Sequence, residues 1–266
     1  MKIIVCVKQV PDTSGKVAVN PDGTLDRASM QTITNPDDLN AVEAALKLKD
    51  ETGCEVIVVT MGPPPAEGML REILARGADK AVLVSGREFG GSDTYATSQI
   101  LAAAVNRIGV EKDDIVMCGR QAIDGDTAQV GPQIAEKLGL PQVSYAADIK
   151  KEGDVITVQR MLEDGYMTIK VQTPCLVTCI KELNEPRYMS VGGIFEAYSK
   201  PMEVFDYNAL KDDPLIDPTT IGLKDSPTNI LTSFTPPQKG AGMMLEGDGK
   251  ETCEKLAAIL AKKHII

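Results

Sequence analysis

The sequence has few aromatic residues and a single His. Its 266 residues include no Trp, four Phe and six Tyr, so stacking platforms for single-stranded nucleic acid are not expected. The net charge of −10, without a basic stripe, also argues against a nucleic-acid partner. Because the one His, His264, lies at the C-terminus, we expect neither a Ser/His/Asp or Cys/His catalytic set nor a zinc site.

Long apolar runs and cysteine pairs are missing as well. No apolar run approaches the length of a membrane span, and a strand pattern begins at Lys2, so neither membrane insertion nor a signal peptide is expected. None of the six Cys residues forms a Cys-x-x-Cys pair, and most lie in or beside apolar runs. Because buried reduced thiols are typical of the cytoplasm, we expect a cytoplasmic protein.

The common nucleotide and catalytic motifs do not occur. Neither a GxGxxG nor a P-loop pattern is found, which counts against a standard dinucleotide fold or a phosphoryl-transfer enzyme. Asp93, Asp124 and Asp126 fall in Gly-containing loops. A glycosidase-type carboxylate pair is conceivable there, but such acids more often cap helices or bond ribose hydroxyls. We therefore predict no catalytic side chain and favour a tightly held cofactor.

What the chain does contain is a regular alternation of strand and helix patterns through residues 1–145. The continuous apolar runs typical of strands buried on both faces are at 3–7, 56–60, 81–84 and 115–118. A helical pattern follows each of these runs. The alternation predicts an α/β fold with a doubly wound, mostly parallel sheet, in which ligands bind beyond the carboxyl ends of the strands.

One loop leaving such a carboxyl end is especially polar and Gly-rich. Residues 119–132 link the strand at 115–118 to a helix over about 129–138. A helix N-terminus offers free backbone N–H groups and a positive dipole end to an anion, which favours nucleotide binding. Asp126 or Thr127 is predicted to cap this helix. An ordinary loop between strand and helix remains the alternative.

The pattern changes after residue 145. Alternating segments at 155–161 and 167–171 predict an antiparallel hairpin, and a further strand is predicted at 175–180. Residues 183–190 are expected to form an irregular, exposed loop, and a short apolar pattern follows them.

The C-terminal quarter is rich in Pro and poor in periodic segments. Residues 200–245 indicate either disorder or an arm that wraps a partner, and the interspersed apolar residues favour the arm. A last amphipathic helix is predicted over 250–263, with Cys253, Leu256 and Ile259 on one side.

Several short motifs resemble those of one known family. They are Val5-Cys6-Val7-Lys8, Asn35-Pro36, Met61-Gly62-Pro63, Gly77-Ala78-Asp79, Gly119-Arg120-Gln121-Ala122-Ile123-Asp124 and Asn184-Glu185-Pro186-Arg187-Tyr188. In this order they make the chain similar to the β subunit of electron-transfer flavoproteins over nearly its whole length. The resemblance implies an adenine-nucleotide-binding α/β domain at 1–199, with a hairpin insertion at 150–173 and a partner loop at 183–194. It also implies a C-terminal arm and helix at 200–266 that pack on an α subunit carrying FAD.

The resemblance also assigns functional residues. The nucleotide-binding residues that it implies are Cys6, Asn35, Asp38, Met61, Asp93, Thr94, Thr97, Gly119, Arg120, Gln121, Ala122, Ile123, Asp124, Gly125, Asp126, Thr127, Ala128, Gln129 and Val130. The residues implied for docking of a partner dehydrogenase are Leu183, Tyr188, Val191 and Ile194. Other family members place a Leu at the position of Val191, where it anchors the partner dehydrogenase. Val191 is a smaller anchor, and the following Gly192-Gly193, which we call the stem, is expected to be more flexible.

Two branches of the family suggest two functions. Residues 125–132 and 89–97 resemble the branch whose β subunit holds a second FAD. That FAD accepts hydride from NADH and bifurcates the electrons. One goes through the α-subunit FAD to a flavin-dependent dehydrogenase of the acyl-CoA or 2-hydroxy-acid type, and the other to a low-potential ferredoxin or flavodoxin. In the other branch the β subunit holds AMP and only scaffolds the α subunit. A free-standing nucleotide-binding signalling domain is a third alternative, which leaves the Pro-rich tail unexplained.

Overall fold

The computed structural model describes residues 1–12, 31–232 and 240–266. The described residues 1–12 and 31–231 belong to one compact unit, and 232 and 240–266 belong to a second. The turn predicted at Asn20-Pro21-Asp22-Gly23 lies outside the described residues.

The first unit is built on a large sheet. In chain order the strands of this unit are β1 (Lys2–Cys6), β2 (Gln9–Pro11), β3 (Thr32–Thr34), β4 (Glu55–Met61), β5 (Lys80–Val84), β6 (Ile115–Gly119), β7 (Gln142–Glu152), β8 (Val155–Met161), β9 (Tyr166–Gln172), β10 (Cys175–Cys179) and β11 (Met202–Phe205). Nine of them form the sheet in the order β11-β5-β4-β1-β6-β10-β7-β8-β9, and β2 pairs with β3 separately. Neighbours from β11 to β7 are parallel, whereas β7, β8 and β9 are antiparallel. The predicted doubly wound, mostly parallel fold is confirmed.

Helices cover both faces of this sheet. They are α1 (Pro36–Thr52), α2 (Glu67–Arg76), α3 (Thr94–Ile108), α4 (Val130–Leu138), α5 (Val191–Ala197), α6 (Tyr207–Leu210) and α7 (Gly222–Asp225). Side chains of α1 and α2, such as Leu46 and Ile73, lie in one buried apolar cluster. Side chains of α3 and α4, such as Ile100 and Ile134, lie in another. Two apolar layers on one sheet explain why most positions of the central strands are apolar.

The order of the strands creates a crevice between β1 and β6. The chain passes from β1 to β4 and β5 on one side and then returns to β6 on the other side of β1. In the register of these strands, Cys6 lies opposite Cys118, and Cys179 of β10 lies opposite Gly119. The loops after β1 and β6 therefore leave adjacent strand ends at the point where the strand order reverses, the arrangement at which doubly wound sheets bind ligands.

The antiparallel insertion is larger than predicted. The hairpin at 155–161 and 167–171 is confirmed, but it is the outer part of a three-stranded antiparallel segment that begins with β7, an 11-residue strand. The sequence prediction missed β7 because only Val143 and Ala146 are buried in it. Its second half is charged and lacks the apolar run that identifies the central strands.

Part of the Pro-rich segment is ordered on the first unit. β11 pairs with β5 at the edge of the sheet, and Phe205, Ile216 and Ile221 are buried. These parts of the segment therefore pack on the rest of the first unit, which extends to Leu231. The boundary expected at 199 and the packing of the arm on an α subunit stay predictions.

The second unit contains the predicted C-terminal helix. α8 spans Gly249–Lys262, and the Asp248 side chain caps it by accepting a 2.9 Å hydrogen bond from the Glu251 N–H. Cys253 and Leu256 of its apolar side are exposed. Among the described helices, none combines the length and the apolar character needed to cross a bilayer.

Candidate functional site

A buried carboxylate closes the crevice between β1 and β6. Asp38, in the first turn of α1, accepts hydrogen bonds of 2.8 Å from the backbone N–H groups of Gly119 and Lys8. These residues follow or end the two strands, so one side chain ties both carboxyl ends together. The close approach requires glycine at 119, where a Cβ would lie 2.5 Å from Asp38 Oδ1.

The buried position of Asp38 changes the pKa of its carboxyl group. Burial raises the pKa of its carboxyl to about 7, although the hydrogen bonds from Gly119, Lys8 and Asn35 oppose the shift. The neighbouring Asp37 raises the pKa further. Burial, followed by the charge of Asp38, raises the pKa of the Cys6 thiol to about 12. Cys6 is therefore a neutral core thiol, and its side chain lies in the apolar cluster beneath α3 and α4.

Asn35 positions the loop after β6. Its Nδ2 donates to the Gln121 carbonyl at 2.8 Å, and its Oδ1 accepts from the Ile123 N–H at 3.1 Å. Its own N–H donates to the Lys8 carbonyl. Asn35 precedes α1 at the N-cap position, but its side chain bonds this loop rather than the helix. The residue thus holds the loop after β6 against the start of α1.

Two ion pairs neutralise carboxylates at this edge. Lys8 Nζ lies 2.7 Å from Asp124 Oδ1, and Arg120 Nε lies 3.3 Å from Asp37 Oδ2. Lys8 was not among the predicted nucleotide-binding residues, although it belongs to the motif Val5-Cys6-Val7-Lys8. Its partner Asp124 lies 116 residues away, so a local sequence pattern does not predict the ion pair. These pairs offset negative charge that would repel an anion in the crevice.

The N-terminus of α4 is open. Asp126 and Thr127 were expected to cap it, and this prediction is wrong: Gln129 occupies the N-cap position, and no described side chain makes a cap hydrogen bond there. Asp126 instead accepts from Gln121 Nε2 at 2.9 Å. Asp126 and Ala128 have positive φ values of 49° and 52°, a conformation that is costly for residues with a Cβ.

Glycine at position 131 allows the N-terminus of α4 to pack closely on the sheet. A Cβ at Gly131 would lie 2.7 Å from Cys118 Sγ and 2.9 Å from Thr178 Cγ2. Within the described first turn of α4 there is no acidic residue. The unused N–H groups and the positive end of the helix dipole therefore remain available to an anion.

The loop before α3 borders the same crevice. Thr94 Oγ1 donates to Gln129 Oε1 at 2.9 Å, which joins the start of α3 to the start of α4. Thr97 Oγ1 lies 3.5 Å from the Ser92 carbonyl instead. Asp93 caps α3, and both of its carboxylate oxygens accept backbone hydrogen bonds, from Ala96 and from Thr228. Met61 ends β4 and is packed against the apolar cluster on the α3 side.

The structure therefore brings together most of the predicted nucleotide-binding residues. Asn35, Asp38, Thr94 and the loop Gly119–Val130 are joined by direct hydrogen bonds around the crevice. The Cys6 side chain is instead part of the apolar core, and the Asp93 side chain caps α3.

A second candidate surface lies on α5. Tyr188, Val191, Phe195 and Tyr198 are exposed by 94%, 74%, 78% and 75%. A contiguous apolar surface of this kind is typical of a protein-binding site. Of the predicted docking residues, Ile194 is also exposed, whereas Leu183 packs partly buried against the core.

The irregular, exposed loop expected at 183–190 is confirmed, because residues 184–190 have no regular secondary structure and are exposed or half-buried. Ion pairs anchor this loop to α1. Arg187 forms an ion pair with the buried Glu43 at 2.9 Å and with Asp50 at 2.8 Å, both on α1. That the stem at Gly192-Gly193 is more flexible stays a prediction. Gly193 lies in the first turn of α5, where a Cβ would lie 2.2 Å from the Ala75 carbonyl oxygen. Gly193 thus permits close packing on α2.

The amino-acid sequence of the chain is similar to one protein family and to several known proteins. The electron transfer flavoprotein domain matches residues 22–210. The chain is 68% identical over the full length of both chains to the "Acryloyl-CoA reductase electron transfer subunit gamma" of Anaerotignum propionicum. Over the same coverage it is 54% identical to the "Caffeyl-CoA reductase-Etf complex subunit CarD" of Acetobacterium woodii. It is 49% identical, again at full coverage, to the "Electron transfer flavoprotein subunit beta" of Clostridium acetobutylicum.

Proposed function

Because the chain belongs to the electron transfer flavoprotein family as a β-type subunit, we propose that its crevice between β1 and β6 holds FAD. The observation that carries this proposal is the hydrogen bond between Thr94 and Gln129. It makes the loop before α3 and the loop after β6 two walls of one crevice. A ligand longer than AMP is then able to contact both walls.

The residues present fit such a ligand. The open N-terminus of α4, without an acidic first turn in the part of the chain described, suits the pyrophosphate. The loop from Gly119 to Gly125, shaped by Asn35 and Asp38, is assigned to the adenosine end. The Thr94 and Thr97 hydroxyls are assigned to the flavin ring. When bound, FAD would supply the redox chemistry, namely the acceptance of hydride from NADH and the division of the two electrons.

The electrons require partners, and we propose three. One electron passes to the FAD of an α subunit, on which the predicted C-terminal arm packs, and then to a flavin-dependent dehydrogenase. The other passes to a low-potential ferredoxin or flavodoxin. The relatives named as subunits of acryloyl-CoA and caffeyl-CoA reductases favour a dehydrogenase of the acyl-CoA type over the 2-hydroxy-acid type. The exposed surface on α5 is proposed to dock it.

The test is the nucleotide content of the heterodimer. The chain is co-purified with its α partner, the ligands are released by denaturation, and they are quantified by chromatography. Two FAD per heterodimer are expected. One FAD and one AMP would contradict the proposal and leave a β subunit whose nucleotide is structural.

A further inference from the structure

Residues 215–228 are folded over the loop that precedes α3. Ile216 and Ile221 lie in the same buried cluster as Phe89 of that loop. The backbones approach so closely that a Cβ at Gly222 would lie 2.6 Å from the Glu88 carbonyl oxygen. Residue 231 is the last of the first unit. We call residues 215–231 the exit segment, since the chain leaves the first unit through them.

Three hydrogen bonds join the exit segment to Ser92 and Asp93. The Gly222 N–H donates to Ser92 Oγ at 2.9 Å, and the Asp93 N–H donates to Ser226 Oγ at 3.0 Å. The Thr228 N–H donates to Asp93 Oδ2 at 2.8 Å. Ser226 is buried and itself donates to the Gly222 carbonyl at 2.6 Å. The contact is thus reciprocal, with donors on both sides; Ser226 at its centre is buried, whereas the bond from Thr228 is exposed.

The same Asp93 carboxylate reaches toward the proposed nucleotide site. Its other oxygen accepts from the Ala96 N–H at 2.9 Å and so fixes the first turn of α3. Thr94, in that turn, bonds Gln129 at the start of α4. Thr228 is therefore linked to the open helix end through its hydrogen bond to Asp93, the peptide bond between Asp93 and Thr94, and the hydrogen bond from Thr94 to Gln129.

We propose that Asp93 and Ser226 form a clamp that couples nucleotide occupancy to the order of the exit segment. In this view, which rests on the proposed function, Asp93 is a positioning residue rather than a direct ligand of the nucleotide. A nucleotide that holds Thr94 and Gln129 in place also holds the acceptor for Thr228. Because such coupling is reciprocal, loosening the exit segment lowers the affinity for the nucleotide.

The test is hydrogen exchange, measured by mass spectrometry on the full chain in complex with its α partner. The complex is compared after removal of nucleotide and after reloading with FAD. Peptides from 119–130 report occupancy of the proposed site, and peptides from 215–231 report the clamp. In the wild type both sets are expected to exchange more slowly after reloading.

Two variants break the clamp at different atoms. Asp93→Asn replaces an acceptor oxygen by an NH2 group that cannot accept from Thr228, and Ser226→Ala removes the hydroxyl that accepts from Asp93. In both, reloading is expected to protect 119–130 but no longer 215–231, with FAD affinity about 5- to 20-fold weaker. Asp206→Asn is the matched control, because Asp206 caps α6 through the Ala209 N–H at 2.9 Å and makes no hydrogen bond to the exit segment among the described contacts.

The outcomes separate the two proposals. If 119–130 shows no protection on reloading in the wild type, the proposed site is wrong. If 119–130 is protected but 215–231 is unchanged, or if both clamp variants behave like Asp206→Asn, the clamp alone is overturned. Should Asp93→Asn fail to assemble with the α partner, Ser226→Ala decides, since it leaves the cap of α3 intact.

Discussion

The helices α3 and α4 begin close together at one edge of the sheet, but only α3 has an N-cap side chain that bonds its first turn. Asp93 has an extended backbone (φ −73°, ψ −173°) and its side chain caps α3. Gln129 has a helical backbone (φ −102°, ψ −34°), and its side chain does not cap α4. Capping side chains satisfy N–H groups that would otherwise seek an external acceptor. The comparison indicates that the α3 end serves the fold and that the α4 end is kept for a ligand.

The first turn of α1 differs from both, because it carries the buried carboxyl group of Asp38. Replacing this group should have the largest effect on the pH dependence of stability. Unfolded Asp38 ionises near pH 4, whereas in the fold its pKa is about 7. The folded state therefore keeps a proton that the unfolded state has lost, and stability contributed by this group is present below pH 4 and declines as the pH rises to about 7. The loss is at most about 4 kcal/mol. Asp38→Asn should flatten this part of the pH profile, measured by urea unfolding at several pH values. An unchanged slope would show that Asp38 does not titrate in this range.

The open end of α4 depends on glycine at 131. Gly131→Ala is expected to destabilise the chain by about 1–3 kcal/mol, because its Cβ would overlap Cys118 and Thr178. Gly125→Ala is the control, since a Cβ there meets no described atom within 4 Å. Thermal unfolding of both variants gives the difference. Equal melting temperatures would mean that α4 is free to move away from the sheet.

A pair of alanine variants tests the two helix ends directly. Asp93→Ala should cost about 1–2 kcal/mol of stability, because it removes the cap of α3. Gln129→Ala should cost less than about 0.5 kcal/mol, because an exposed side chain without a cap bond contributes little. Chemical denaturation measures both. Similar losses would remove the distinction on which the assignment of α4 to a ligand depends.

The smallest effect distinguishes the two nucleotides. Thr94→Val removes the hydroxyl that bonds Gln129 and that we assign to the flavin ring. FAD affinity should fall by roughly 2- to 10-fold, and AMP affinity should stay unchanged. Titration of each nucleotide into the unloaded heterodimer gives both values, with the exposed Thr168→Val as control. An equal loss for AMP would place Thr94 near the adenosine end instead.

The sequence predicted what depends on local pattern. The central strands, the buried Val42 and Leu46 of α1 and the polar loop after β6 follow from apolar periodicity and Gly content, which neighbouring residues determine. The hydrogen bonds of individual polar side chains depend on partners that are far away in the sequence. Thr228 lies 135 residues from Asp93, and Gln121 lies 86 residues from Asn35. The local rules for helix caps therefore identified Asp126 as a polar loop residue but assigned the wrong hydrogen bond to it.

The bond between Arg187 and Glu43 has a consequence for how this protein diversifies. It fixes the α5 surface to α1, and the exposed side chains at Val191, Phe195 and Tyr198 contribute little to the core. Substitutions at these three positions are thus nearly free of folding penalties, while the frame beneath them stays constant. One scaffold is then able to present a different surface to the partner that we propose for α5 by changing a few residues, and the proposed nucleotide edge, near Asp38 at the start of α1, is left as it was.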